Sequence, residues 1–242
     1  ISYGVRAAGE RYFVKTTGHP DNPDSYLNHA ERVSMLRNAV HLWEGCGCHT
    51  LPALHQVVES PTGPLLVYEW VNGELVRTDA ARRDHPGSTF QRFRGLPSEE
   101  ILNVLDQVYE LHYQLAQNGW IAVDFYDGCM IYDFRHQKFH VIDLDLYRDA
   151  PFVNEMGRMF GSIRFMAPEE FELGDRIDER TNVFTMGRTA AVFLSDGTLD
   201  REPFRGSDAQ YEVVRRACQD NRNERYDSME AFYRAWGQAR HE

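Results

Sequence analysis

The sequence predicts an α+β protein, with a small β-rich part followed by a larger helical part in a single domain. Three observations carry this. Residues 1–75 hold alternating stretches rich in β-formers around one helix-patterned stretch. From Ser98 onward, apolar residues mostly recur at helical spacing. Between Gly119 and Asp149 lies "GWIAVDFYDGCMIYDFRHQKFHVIDLDLYRD", in which six aspartates sit within or beside apolar runs. Asp124, Asp143 and Asp145 each have an apolar residue on both sides. A buried carboxylate is costly unless it is paired or binds a metal, so these acids mark chemistry.

"ERYFVKTTG" (Glu10–Gly18) alternates and reads as a strand, and "HPDNPD" breaks the chain after it. From Ser25 to Trp43, apolar residues at Leu27, Ala30, Val33, Leu36, Ala39, Val40 and Trp43 predict a helix. "LPALHQVVES" and "GPLLVYEWV" predict two strands around the turn "SPTG". Arg77–Gly95 carries five arginines and little periodicity, and reads as a solvated loop with room for a phosphate-reading patch. Ser98 caps a helix whose face is Ile101, Val104, Leu105, Val108, Leu111 and Leu115, and Gly119 ends it. "CMIYD" and "KFHVID" form a hairpin with its turn at Phe134–Gln137. Residues 182–239 are mostly helical; "NVFTMGRTAAVFL" is apolar nearly all round, which predicts a buried helix.

Composition narrows the function classes. The 242 residues are 42% hydrophobic and 26% charged, an ordinary globular mix. A net charge of -11 argues against a broad footprint for nucleic acid or an anionic membrane. No apolar run approaches the roughly 20 residues of a membrane-spanning helix, and "ISYGVRAAGER" lacks the apolar core of a signal peptide. Without an initiating Met, the chain is expected to be trimmed at its N-terminus. Cys46, Cys48, Cys129 and Cys218 form no disulfide framework, which fits a reducing cytoplasm. "CGCH" (Cys46–His49) has the wrong spacing for zinc and no second ligand pair, so it reads as a turn.

A hairpin with one acid before it and another after it suits phosphoryl transfer. One carboxylate must face an attacking hydroxyl, and another must hold the divalent cation on the transferred phosphates. The order of parts along the chain is "VRAAGERYFVK", a helix with an internal Glu, "VYEWVNGEL", "VDFYDGCMIYD", "VIDLD", "GSIRFMAPEE", "TNVFTMG" and "NRNERY". This order resembles the protein-kinase-like superfamily over essentially the whole chain. The resemblance implies a bilobal fold, with residues 1–71 as the β-rich N-lobe and hinge and 72–242 as the helical C-lobe. It implies an ATP-dependent enzyme, an atypical Ser/Thr-type protein kinase using Mg²⁺ or Mn²⁺ on a protein substrate.

By the same resemblance, Lys15 matches the lysine that holds the α/β-phosphates, and Glu31 the helix glutamate that pairs with it. The backbone of Glu69 and Val71 would bond adenine, with Val5 and Phe13 above the base and Ile131 below. Asp124 matches the catalytic base and Asp143 the metal-binding Asp of D-F-G. "MAPEE" (Met166–Glu170) resembles A-P-E, whose Glu169 would pair with Arg225.

Several positions depart from the pattern. Phe13 replaces a small residue over adenine, as in some antibiotic phosphotransferases of related fold. The H-R-D triplet is Ala122-Val123-Asp124, and Leu146–Phe160 contains no Ser or Thr, so no phosphorylated activation segment is implied. Cys129 stands where an Asn holds the second cation, and thiols are poor ligands for hard cations. Asp145, in place of the D-F-G glycine, or Asp127 would compensate. Asn182 replaces a buried Asp and can still accept a hydrogen bond. Two alternatives follow from these departures and from the shared chemistry: a pseudokinase or scaffold, and a small-molecule kinase.

Overall fold

The computed structural model describes every residue except Asp24. The chain is α+β, with a four-stranded antiparallel sheet and six α-helices among the described residues. The sheet contains β1 (Ser2–Ala7), β2 (Glu10–Thr16), β3 (Leu54–Ser60) and β4 (Gly63–Glu69), in the order β1-β2-β4-β3. The residues of β1 pair with β2 along their whole length. The link is a two-residue turn in which Ala8 and Gly9 both have positive φ, 50° and 88°, the geometry that matches the twist of a tight hairpin.

Helix α1 (His29–Gly45) crosses the sheet, and its Leu36 packs on Leu66 and Tyr68. It starts later than the periodicity from Ser25 suggests. The start is fixed by Asn28, whose side chain accepts from the Glu31 N–H while the Glu31 carboxylate accepts from the Asn28 N–H. Arg32 is buried, and its guanidinium donates to the carbonyls of Thr17, His19 and Leu27, which ties down the bend before the helix.

Beyond β4, β5 (Glu74–Leu75) joins a sheet with the β7–β8 hairpin (Met130–Asp133, Lys138–Val141). The Arg-rich segment is more than a solvated loop. It holds α2 (Thr89–Arg94), capped by Ser88, with Phe90 and Phe93 in the core. Two phenylalanines three residues apart make one apolar face, too short to register as periodicity. Helix α3 (Ser98–Gln117) buries the face expected of it. Short strands follow: β6 (Trp120–Ile121) pairs with β9 (Arg148–Asp149), and β10 (Phe152–Val153) with β11 (Arg176–Ile177).

Helix α4 (Glu179–Leu194) is buried on nearly every side and anchors α3, α5 (Asp208–Ala217) and α6 (Met229–Ala239). A Cβ at Gly187 would come within 2.7 Å of the Cys218 sulfur and 2.8 Å of the Ala217 Cβ, so α5 could not sit this close to a larger residue. The helices build the main core, which also receives Leu42, Cys46, Cys48 and Leu51. All four cysteines are free and buried. No helix of the described residues is long and apolar enough to cross a membrane.

Candidate functional site

A cavity of about 280 Å³ opens beneath the four-stranded sheet. Its walls are Phe13 and Lys15 from β2, the segment Tyr68–Val71, Ile131 from β7, α1 at Ala39 and Leu42, and the stretch Val141–Asp145. Strand alternation puts Phe13 and Lys15 on one face of β2. The register places Val5 opposite Tyr12, so Val5 shares the other face, where it lines a second hollow with Tyr12 and Val14. Its assignment above a base is therefore corrected. Gly4 is the β1 residue on the cavity face, opposite Phe13, with the Trp70 ring packed against it.

Lys15 is buried, and its ammonium donates to Asp143 Oδ1 and Asp145 Oδ2, each at 2.6 Å. Burial alone would lower the Lys15 pKa, but Asp145 and Asp143 outweigh it and hold the lysine charged. Glu31 does not form the pair with Lys15 that the resemblance implies. Its carboxylate closes the N-terminal cap of α1, and the carboxylates of the 143–145 stretch occupy the lysine instead. Helix α1 reaches the site through Asn38, which donates to the carbonyls of Asp145 and Tyr147.

Asp124 sits on the loop between β6 and β7, partly buried. Burial first, and the Asp143 carboxylate second, push its pKa up to about 6. Asp124 and Asp143 both have left-handed backbones, with φ of 63° and 65°. Such conformations cost energy in non-glycine residues and gather at functional sites. The loop is held by Asn182 Oδ1, which accepts from the Ala122 N–H at 3.0 Å. Below it, buried His112 donates from Nδ1 to the Val108 carbonyl and accepts at Nε2 from the Tyr147 hydroxyl, each at 2.7 Å. Burial lowers the His112 pKa to about 4, so the ring is neutral at ordinary pH.

Two further residues are corrected by their surroundings. Cys129 is buried, its thiol donates to Asp124 O at 3.3 Å, and burial pushes its pKa well up, so it offers no thiolate to a cation. Asp127 is fully buried and paired with Arg164, so it does not stand in for the missing Asn. Asp143, by contrast, has a side chain 57% exposed, and Lys15 engages one of its oxygens. Among the described residues, no group of three or more His, Cys, Asp or Glu is arranged to hold a metal.

Glu169 and Arg225 form a buried bidentate pair at 2.7 and 3.0 Å, reinforced by the Thr181 hydroxyl. Sequence reasoning missed Glu170, a buried carboxyl beside it whose pKa burial raises to about 8. It also missed Asn38 and Arg77. Asn38 lies off the apolar stripe of α1, two residues from Leu36, so nothing in the sequence marked it, and nothing distinguished Arg77 from its neighbouring arginines.

The arrangement brings one buried ammonium and one exposed carboxylate to a single cavity, with a carboxylate of raised pKa, Asp124, close to Asp143. It can attract an anion to Lys15, give a hard cation one oxygen ligand at Asp143, and take a proton at Asp124 near pH 6. No family model matches the chain, and no curated protein sequence matches it.

Proposed function

We propose that the chain is an ATP-dependent phosphotransferase with a bilobal protein-kinase-like fold, acting as an atypical Ser/Thr-type kinase on a protein hydroxyl. The observation that carries this reading is that Lys15 and Asp143, 128 residues apart, meet in one cavity walled by Tyr68–Val71, with Asp124 near enough to Asp143 for that charge to raise its pKa.

The donors fit the implied groups in part. Phosphates suit Lys15, and one exposed carboxylate at Asp143 suits Mg²⁺ or Mn²⁺, which keep waters and take their other ligands from phosphate. Asp145 faces the same cavity and is the candidate second acid. Bound nucleotide and cation would supply the transferable phosphoryl group and neutralise its charge. In this reading Lys15 orients the phosphates, and Phe13 and Ile131 bound the base. Asp124 positions the acceptor hydroxyl and takes its proton. The fixed loop under Asp124, with Asn182 on Ala122, holds that carboxylate in place.

Incubation with Mg²⁺ or Mn²⁺ and labelled ATP, alone and with generic protein substrates, tests the proposal. Label transfer that is lost in Asp124→Asn and Asp143→Asn is the expected result, and no transfer under any metal would overturn it.

One observation favours the second reading, a nucleotide-binding or empty scaffold. Lys15 is engaged by two carboxylates, and Asp145 must yield before the ammonium reaches a phosphate. Calorimetric ATP binding without label transfer would select the scaffold.

A further inference from the structure

The Arg-rich segment contributes one cation to the mouth of the site. Backbone bonds pin the start of the segment to the loop that carries Asp124: Val76 N–H donates to Met130 O at 2.9 Å and Arg77 N–H to Asp127 O at 3.1 Å. The Arg77 guanidinium is exposed and lies 5.7 Å from the centre of the Tyr126 ring, two residues from Asp124. It is close enough to Asp124 to oppose the rise in that acid's pKa. Among the described residues, no carboxylate forms an ion pair with it.

Two of the other arginines in the segment are engaged. Arg92 is bound to Glu74, and Arg94 to the Ser195 carbonyl. The surroundings are acidic, with Asp124 and Asp143 nearby and a net charge of -11 on the chain. A peptide carrying carboxylates would be repelled from this mouth unless a cation met it there.

We infer that Arg77 is a specificity-determining residue on the acceptor side, selecting peptides with an acidic residue next to the hydroxyl-bearing one. This rests on the phosphotransferase reading for its purpose, but not for its binding contact. A guanidinium beside an aromatic ring, as Arg77 is beside Tyr126, keeps N–H groups free for a carboxylate.

The test is fluorescence anisotropy with three labelled serine peptides of the same core, flanked by Glu, by Gln or by Lys. They are titrated into the wild-type chain, Arg77→Ala and Arg77→Glu at low and high salt. Wild type is expected to prefer the Glu peptide. Arg77→Ala should bind it roughly fivefold more weakly, the upper range for an exposed ion pair, and high salt should shrink the difference. Arg77→Glu should turn the preference toward the Lys peptide. Because the side chain is exposed, melting temperature should stay unchanged in both variants. Equal binding of the Glu peptide by all three proteins, or a wild-type preference for the Lys peptide, would overturn the inference. A charge preference without label transfer from ATP would keep this surface and remove the phosphotransferase reading; transfer without charge preference would do the reverse.

Discussion

Lys15 Nζ and Asp145 Oδ2 lie 2.6 Å apart, both buried, although 130 residues separate them in the chain. The contact places a carboxylate where an incoming phosphate would seek the ammonium. Asp145→Asn keeps the shape and removes the competing charge, so ATP should bind several-fold more tightly by calorimetry. Stability should fall by at most roughly 1.5–3 kcal/mol, the range for a charge-assisted hydrogen bond, because Asp143 remains as a partner. Weaker ATP binding, with a raised requirement for Mg²⁺, would instead make Asp145 a cation ligand.

Asp124 should titrate near pH 6 in the metal-free protein, because burial and Asp143 both favour its neutral form. The folded pKa exceeds the ordinary value of about 4, so the group binds its proton more tightly in the folded state. Any rate that needs the Asp124 carboxylate should rise with pH through about 6. Carboxyl ¹³C NMR of the Asp124 signal checks this directly. Asp143→Asn removes the like charge and should lower the midpoint; an unchanged midpoint would leave burial as the sole cause.

Much of this arrangement is legible in the sequence. The β7–β8 hairpin and the all-round burial of α4 follow from periodicity, and Glu169 and Arg225 meet as the order of motifs suggested. The failures have local causes. Strand side chains have a period of two, so a one-residue error in placing Val5 moves it to the opposite sheet face. Glu31 was assigned to Lys15, yet "NHAE" carries a capping-box spacing, Asn28 to Glu31, that competes for the same carboxylate. Helix α2 escaped notice because its burial rests on two phenylalanines among arginines. Which acid holds Lys15 depends on how the 143–145 stretch folds back under β2, and that path is set by tertiary packing rather than by any short pattern.

Phe13 lines the cavity on the same sheet face as Lys15. If its ring stacks on a bound base, Phe13→Ala should weaken ATP binding. Calorimetry decides between this and a plug: binding absent in the wild-type protein and present in Phe13→Ala would show that the ring blocks the base.

Arg225 joins Glu169 to the carbonyls of Gln219, Arg180 and Asp220, so it knots the helical region together. Arg225→Ala should cost roughly 3–5 kcal/mol, the loss expected when one partner of a buried pair is left alone. A clear fall in melting temperature is expected although the residue is far from Lys15 in sequence. Glu169→Gln combined with Arg225→Met removes both charges and should recover part of the loss. A melting temperature unchanged in the single variant would mean that solvent reaches Glu169.

Glu170 is buried beside that pair and, among the described residues, has no cation of its own; its carboxyl accepts only the Ala167 N–H, at 2.6 Å. Burial raises its pKa from 4.5 to about 8, against the effect of that one hydrogen bond. Between those two values the folded chain holds a proton that the unfolded chain has released. This group's contribution to stability is therefore complete below about 4.5 and is lost as pH rises through about 8, at up to about 1.4 kcal/mol per pH unit. Glu170→Gln replaces the neutral acid with a neutral amide that can accept the same N–H. Below about pH 4.5 its melting temperature should match that of the parent chain, and from there to about pH 8 it should rise progressively above it, because only the parent's unfolded state gains by ionising. Above about pH 8 the difference should level off, since the parent's carboxyl is then ionised in both states. Parallel melting curves across that range would show that Glu170 is ionised in the folded protein and that a charge partner compensates for its burial.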